Sequence, residues 1–203
     1  MFQEIYVPWI SNYNKNAYCN HPSSVYESVH MASVSLPNIN VFLRLNSLHA
    51  NTCQNNISNV QMEAIAYAIN AFENNKNIDT HNRGFFLGDG TGVGKSRIIA
   101  GVLSELWMRN NINFRAIWIS INKTLETDAI HELRIVENLN NACPPWINIS
   151  QCIQDTNTNG VLFTTYSSLK IKETFENTLR WLQNSENTLL IFDEAHLAKK
   201  IHG

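Results

Sequence analysis

Apolar residues recur along this chain in two alternating patterns, one typical of helices and the other of buried strands. Residues 58–72 and 98–107 place apolar side chains three or four positions apart, which predicts amphipathic helices. Residues 114–120, 160–166 and 188–192 are short apolar runs, which predict buried strands. A helical pattern follows each of the first two strands. Strands that alternate with helices of these lengths predict an α/β fold with a parallel sheet.

The first part of the chain lacks these patterns. Residues 1–57 contain three prolines and many Ser and Asn residues, and only 25–34 and 41–48 suggest short strands. We therefore predict two regions. Residues 1–57 form an irregular N-terminal extension that packs on the domain formed by residues 58–203.

A glycine-rich segment, residues 84–97, carries the strongest chemical signal in the sequence. Three apolar residues enter it, glycine then stands at every second position, and Lys95 and Ser96 close it ahead of a helical pattern. Glycine lets backbone N–H groups point inward without a Cβ that would block a phosphate, and the helix start adds a positive dipole end. This order predicts a phosphate-binding P-loop. Its predicted nucleotide-binding residues are Gly90, Thr91, Gly92, Val93, Gly94, Lys95, Ser96 and Arg97.

Two side chains of this loop have predicted roles towards a nucleotide. Lys95 is expected to reach the β- and γ-phosphates, and Ser96 to ligate Mg²⁺. Asp89 stands where the common form of the loop has glycine, whereas the core from Thr91 to Ser96 fits the form usual in helicase-like ATPases. The alternative is a flexible glycine turn that carries Lys-Ser by chance. The strand and helix patterns on either side argue against that alternative.

The strand pattern at 188–192 runs directly into an Asp-Glu-Ala-His sequence that begins at Asp193. Ligands of open α/β sheets bind at the carboxyl ends of strands. Asp193 is therefore predicted to hold Mg²⁺, and Glu194 to orient and deprotonate the attacking water. With Lys95, these are the predicted catalytic residues. His196 has two interpretations, a relay of nucleotide state to a neighbouring domain or a polar loop residue.

Gln61 also has two interpretations. It stands three positions after Ser58, the spacing of a capping box, in which the glutamine side chain returns to the N-cap amide. Alternatively, it is the adenine-binding glutamine found upstream of the P-loop in many helicases, because a glutamine amide can both donate to and accept from adenine. The sequence alone favours neither.

Composition narrows the class of protein further. The 203 residues are 44% hydrophobic and 16% charged, which is typical of a globular domain, and the formal net charge of −2 gives no general footprint for nucleic acid. The four cysteines form no C-x-x-C pair, which favours free thiols in a reducing compartment over a zinc site. No apolar run approaches the roughly 20 residues needed to span a bilayer. We therefore expect an intracellular protein with no membrane partner.

These motifs resemble those of the superfamily 2 helicases, and more closely those of the strawberry notch family of P-loop NTP hydrolases. The resemblance covers nearly the whole chain, so residues 1–57 belong to it too. The residues that carry it are His21-Pro22 and Met31 to Val34, Gln61 to Ile65, Gly88 to Lys95, Arg115 to Ser120, Tyr166 to Leu169 and Asp193 to His196. The family often has glycine where Ser96 stands and cysteine where Ala195 stands. Ser96 brings this loop nearer to an ordinary Mg²⁺-binding P-loop.

The resemblance implies a RecA-like ATPase lobe that binds ATP and Mg²⁺ and acts on nucleic acid, DNA or RNA, or on chromatin. Thr164-Thr165-Tyr166 resembles a nucleic-acid-contacting motif of such enzymes. The family implies nuclear or viral and phage proteins, with transcription regulation in animals, whereas the chain itself is compatible with a cytoplasmic or a nuclear location. Its members use a second RecA-like lobe with an arginine finger and a strand that follows the Asp-Glu-Ala-His sequence.

The sequence ends at Gly203. We therefore expect a truncated lobe that is inactive as an isolated motor. The alternative is a non-catalytic nucleotide-binding fragment or an inactive remnant of such an ATPase.

Overall fold

The computed structural model describes residues 3–7, 19–29, 33, 39, 41–45, 57–73, 84–90, 92–110, 113–140 and 143–196. The chain forms two compact units. The first unit contains residues 1–105 and 135–141, and the second contains residues 106–134 and 142–203.

Six helices are present in the described ranges. In chain order they are α1 (Asn59–Glu73), α2 (Lys95–Arg109), α3 (Leu125–Asn140), α4 (Ile149–Gln154), α5 (Tyr166–Leu169) and α6 (Lys172–Gln183). The predicted helices at 58–72 and 98–107 correspond to α1 and α2. The helical pattern predicted after the strand at 160–166 corresponds to two helices, α5 and α6, rather than one.

The second unit is built on a parallel sheet. Its strands are β3 (Arg115–Ser120), β4 (Trp146–Ile147), β5 (Gly160–Thr165) and β6 (Thr188–Phe192), arranged in the order β4-β5-β3-β6. Every residue of β3 and β5 is buried, as their continuous apolar runs predicted. The predicted α/β fold with a parallel sheet is confirmed.

One face of this sheet forms a core with α4 and α6. Ile117, Leu162 and Cys152 pack there around Trp181, which is fully buried. The Trp181 indole N–H donates to the Thr158 carbonyl at 2.7 Å. This core fixes the sheet, and with it the carboxyl ends of the strands.

The first unit joins N-terminal segments to α1 and α2. Strands β1 (Gln3–Ile5) and β2 (Tyr26–Ser28) pair antiparallel. The Tyr6 hydroxyl donates to Glu63 on α1. Burial raises the pKa of Glu63, and this hydrogen bond opposes part of the rise. The boundary near residue 57 stays a prediction, although these contacts agree with an N-terminal extension that packs on α1.

Three strand predictions differ from the structure. Among the described residues of the predicted strand 25–34, Tyr26–Ser28 form a strand, and the described residues 41–45 of the predicted strand 41–48 end in a 3₁₀ turn. Residues 30–32, 34 and 46–48 lie outside the described residues. The segment expected as the P-loop strand, residues 84–88, has no strand pairing. Phe85 and Phe86 in this segment are 37% and 85% exposed. An apolar run becomes a strand only where a neighbouring strand accepts its backbone hydrogen bonds, and these residues have no such neighbour among the described strands.

Candidate nucleotide-binding site

The glycine loop has the backbone geometry that a phosphate-binding loop needs. Gly92 and Gly94 have φ angles of 91° and 83°, a region that other residues enter only with strain. Helix α2 begins at Lys95, directly after the loop. A Cβ at position 92 would meet no atom within 4 Å, so the loop is open on that side. Thr91, a predicted member of the site, lies outside the described residues.

Lys95 folds back over its own loop. Its ammonium group donates to the backbone carbonyls of Asp89 and Gly90, both at 3.1 Å. These acceptors are neutral, whereas phosphate oxygens are anionic and make stronger hydrogen bonds to an ammonium. Lys95 is thus placed to exchange these carbonyls for phosphate, so the loop fits an NTP.

Ser96 and Arg97 lie half-buried in the first turn of α2. The Arg97 N–H donates to the Gly94 carbonyl at 3.0 Å, which closes that turn. The Ser96 hydroxyl stands at the helix start next to Lys95, which is the place that a Mg²⁺ ligand of a P-loop occupies.

Asp89 gives the loop an acidic group where the common form has none. Burial raises the pKa of this carboxyl, and the Lys95 ammonium opposes part of the rise. Proximity to Lys95 therefore reduces the cost of carrying a carboxylate in a loop that is expected to bind an anion.

Gln61 uses both ends of its amide. Its Oε1 accepts from the Ser58 N–H at 3.0 Å, and its Nε2 donates to the Val93 carbonyl in the glycine loop at 2.7 Å. The side chain is only 5% exposed. The capping contact is thus present, together with a second contact that ties α1 to the loop. A Cβ on Gly94 would come within 2.5 Å of the same Nε2. The adenine-binding role stays a prediction.

Glu105 is a residue of this unit that the sequence analysis did not single out. It is fully buried on α2, and its two carboxylate oxygens accept the N–H groups of Arg44 and Leu45, each at 3.1 Å. The contact joins positions 60 and 61 residues apart, so no local motif could have indicated it. It fixes an N-terminal segment to the helix that begins at Lys95.

In the second unit, Asp193 is held where β6 ends beside β3. Its N–H donates to the Ile119 carbonyl at 2.9 Å, and the Ser120 hydroxyl donates to its Oδ2 at 2.8 Å. The Tyr166 hydroxyl donates to its backbone carbonyl at 2.9 Å. One carboxylate oxygen thus has a fixed donor. This arrangement orients the side chain, as a metal-binding carboxylate requires.

Glu194 comes next with a φ of 51°, and it is the one residue other than glycine with a positive φ in the described ranges. Its side chain is 45% exposed, and Oε2 lies 3.3 Å from Nδ1 of His196. Such an exposed pair contributes little to stability. Because almost half of its side chain is exposed, Glu194 is accessible to water, as a general base must be.

Thr164 and Thr165 do not present their side chains to solvent. They are 8% and 5% exposed, and the Thr165 hydroxyl accepts the Ser168 N–H as the N-cap of α5. Their exposed neighbours are Ser167 and Lys170. Any contact of this motif with nucleic acid therefore falls on the turn after the strand.

The structure brings the predicted residues together in two groups. Gln61, Val93, Gly94 and Lys95 meet in the first unit, and Asp193 with Glu194 forms the acidic turn of the second. Sequence reasoning missed the role of Ser120. The signal that could have indicated this role is the position of Ser120 as the last residue of β3. Strands β3 and β6 pair with Ile119 opposite Phe192, so the next residues, Ser120 and Asp193, lie beside each other.

The described residues contain neither a clustered metal centre nor a membrane-spanning helix. No three His, Cys, Asp or Glu side chains among them group as metal ligands. None of the helices in those ranges is long and apolar enough to cross a membrane.

A glycine loop that opens a long helix and a parallel sheet that ends in an acidic turn are the parts of a P-loop NTPase lobe. Comparison with known proteins agrees. The profile of the family described as "P-loop containing NTP hydrolase pore-1" matches residues 20–203. The chain belongs to this family and, within it, to the strawberry notch proteins. No solved structure matches the chain.

Similar proteins come from animals and plants. The chain is 32% identical to protein strawberry notch of Drosophila melanogaster and 33% identical to strawberry notch homolog 1 of Homo sapiens, in both cases over 89% of this chain. It is 30% identical to protein FORGETTER 1 of Arabidopsis thaliana, also over 89% of this chain. The chain spans 12%, 14% and 14% of the length of these three relatives.

Proposed function

We propose that this chain binds ATP at the glycine loop and contributes to its hydrolysis in the manner of a DEAH helicase. The observation that supports the proposal is the geometry of the glycine loop. Two of its glycines have positive φ, and the lysine at the start of α2 donates hydrogen bonds to two carbonyls of the loop. These are the features that hold a triphosphate in P-loop enzymes.

Each predicted residue has a part in the proposed reaction. Lys95 and the loop N–H groups bind the phosphates, and Ser96 and Asp193 are the protein ligands for Mg²⁺. That ion would neutralise phosphate charge during transfer. Glu194 orients the attacking water and accepts its proton. Phosphoryl transfer needs chiefly this positioning and charge neutralisation.

We further propose that the complete protein couples hydrolysis to nucleic acid or nucleoprotein inside the cell, in the service of transcription regulation. The resemblance of residues 164–166 to a nucleic-acid-contacting motif supports this. The exposed Ser167 and Lys170 beside that motif are the groups available for phosphate contacts. A second lobe would supply the arginine finger, which is worth about 10³–10⁵ in rate in related NTPases.

Single-turnover hydrolysis with a second lobe supplied tests the proposal, because an excess of protein over labelled ATP reveals even a slow rate. Glu194→Gln should leave ATP affinity unchanged and reduce the hydrolysis rate by at least about 100-fold, since an amide cannot accept the proton of water. The matched control is Glu186→Gln, at an exposed residue ahead of β6, which should hydrolyse at the wild-type rate.

Two results would count against hydrolysis by this site. A wild-type rate in Glu194→Gln would reject Glu194 as the base. ATP binding without any phosphate release, with or without DNA or RNA and with a second lobe supplied, would favour the alternative of a non-catalytic nucleotide-binding module.

A further inference from the structure

The strained residue Glu194 is linked to the Tyr166 hydroxyl. Glu194 has a φ of 51°, and the left-handed region is costly for any residue with a Cβ. Such a conformation persists only where surrounding contacts impose it. The acidic turn must therefore contain contacts that hold this backbone in place.

Tyr166 makes such a contact. Its hydroxyl donates to the carbonyl oxygen of Asp193 at 2.9 Å, across 27 residues of sequence. That carbonyl belongs to the peptide unit that joins Asp193 to Glu194, so the hydrogen bond fixes the plane of this unit. The φ angle of Glu194 is the rotation about its own N–Cα bond, and the N atom of that bond belongs to this peptide unit. The tyrosine thus acts on the angle that is strained.

The tyrosine itself is well anchored. Its ring packs against the core of the second unit, which includes Ile119 and Trp181. A tyrosine phenol keeps its proton at neutral pH, so the hydroxyl remains a donor.

Asp193 is fixed on its other sides as well. The Ile119 carbonyl accepts its N–H at 2.9 Å, and the Ser120 hydroxyl holds its carboxylate at 2.8 Å. Both of these partners belong to β3, so they extend the pairing of β3 with β6. Neither contacts the peptide unit after Asp193. Among the hydrogen bonds that Asp193 makes within the described ranges, the bond from Tyr166 is the one that bears on Glu194.

We propose that Tyr166 is a positioning residue that holds Glu194 in its left-handed conformation and so aims its carboxylate for catalysis. The catalytic part of this inference rests on the proposed function, whereas the conformational part does not. Tyr166 also begins α5, the turn beside the exposed Ser167 and Lys170. A ligand that displaces this turn would therefore change the orientation of the Glu194 carboxylate.

Tyr166→Phe is the sharpest test, because it deletes the hydroxyl and keeps the ring that packs against the core. The single-turnover rate constant should fall by about 3- to 10-fold, the usual worth of one neutral hydrogen bond, while the ATP concentration for half-maximal rate stays the same. The matched control is Tyr26→Phe, which deletes the hydroxyl of an exposed tyrosine on β2 and should change neither parameter.

A double-mutant cycle separates positioning from general stability. In the Glu194→Gln background, the Tyr166→Phe change should cause no further loss of rate, because the group that it positions is already disabled. Equal losses in both backgrounds, or no loss in either, would overturn the catalytic part of the inference.

NMR couplings that report φ give a readout that needs no turnover. In Tyr166→Phe the φ-sensitive couplings of Glu194 should move towards ordinary negative-φ values, and those of Tyr26→Phe should match the wild type. Unchanged Glu194 couplings in Tyr166→Phe would overturn the inference whatever the activity. If the wild type releases no phosphate but the couplings move as expected, the proposed function fails and the positioning of Glu194 by Tyr166 stands.

Discussion

The glycine loop of the first unit and the acidic turn of the second carry the two groups of predicted catalytic residues, and the chain holds each of them by different means. The glycine loop comes after a segment with no strand pairing, and side chains such as Gln61 hold it from outside. The acidic turn ends a regular parallel strand, and the backbone pairing of β6 with β3 continues through Asp193 to the Ile119 carbonyl.

This difference shows which kind of substitution should matter in each region. A loop that depends on side-chain hydrogen bonds is sensitive to the loss of single polar groups. A turn at the end of a sheet is sensitive to the packing that keeps the sheet together. Substitutions in the two regions test this contrast, in order of decreasing effect on stability.

Removal of Trp181 should have the largest effect, because it empties the core under the sheet. Trp181→Ala should lower the free energy of unfolding by about 3–5 kcal/mol, as is usual for a fully buried aromatic residue. Urea unfolding monitored by circular dichroism measures it. Phe175→Ala on the same helix is the control and should cost less than about 1 kcal/mol, because that ring is 50% exposed. Equal losses in the two variants would contradict the packing described for α6.

In the first unit, removal of the fully buried Glu105 should also have a large effect. Glu105→Ala leaves the N–H groups of Arg44 and Leu45 without this acceptor and should lower the free energy of unfolding by about 2–4 kcal/mol. Glu105→Gln retains one carbonyl acceptor, and its free energy of unfolding should fall by roughly half as much. A loss below about 0.5 kcal/mol in Glu105→Ala would show that the N-terminal segment does not depend on this contact.

These contacts also show how far the sequence alone could reach. Helix α2 and the strands β3, β5 and β6 were predictable, because helical apolar spacing and short apolar runs are local signals, although α2 begins at Lys95, three residues before the predicted range 98–107. The absence of strand pairing at residues 84–88 could not be predicted, since strand formation depends on which neighbouring strand is present. The Ser120 and Tyr166 bonds to Asp193 span 73 and 27 residues, and only the register of the folded sheet brings these groups together.

Gln61 was predicted as a candidate, but its contact to the loop was not. The capping-box spacing indicated the bond to the Ser58 N–H, and the helicase analogy indicated adenine. Neither of these signals indicated the hydrogen bond to the Val93 carbonyl, because that bond requires the loop to lie beside the first turn of α1.

A substitution at Gln61 should therefore have a smaller but more specific effect. Gln61→Ala should lower stability by about 1–2 kcal/mol and weaken ATP and GTP binding to the same extent, since the lost contact is to the loop backbone. Gln151→Ala is the control, because Gln151 caps α4 through the Asn148 N–H at 2.8 Å and should leave nucleotide affinity unchanged. A loss confined to ATP would instead establish Gln61 as an adenine-binding residue.

Nucleotide titration of Lys95→Ala tests the central claim, that the glycine loop is a phosphate-binding site, most directly. Fluorescent ATP with Mg²⁺ should bind the wild type and Lys123→Ala equally, because Lys123 lies in a surface turn of the second unit and pairs with Glu126 at 2.8 Å. Lys95→Ala should retain the wild-type circular dichroism spectrum and bind at least about 10-fold more weakly, the worth of a charge-assisted hydrogen bond to phosphate. Equal affinity of Lys95→Ala and the wild type would contradict the claim.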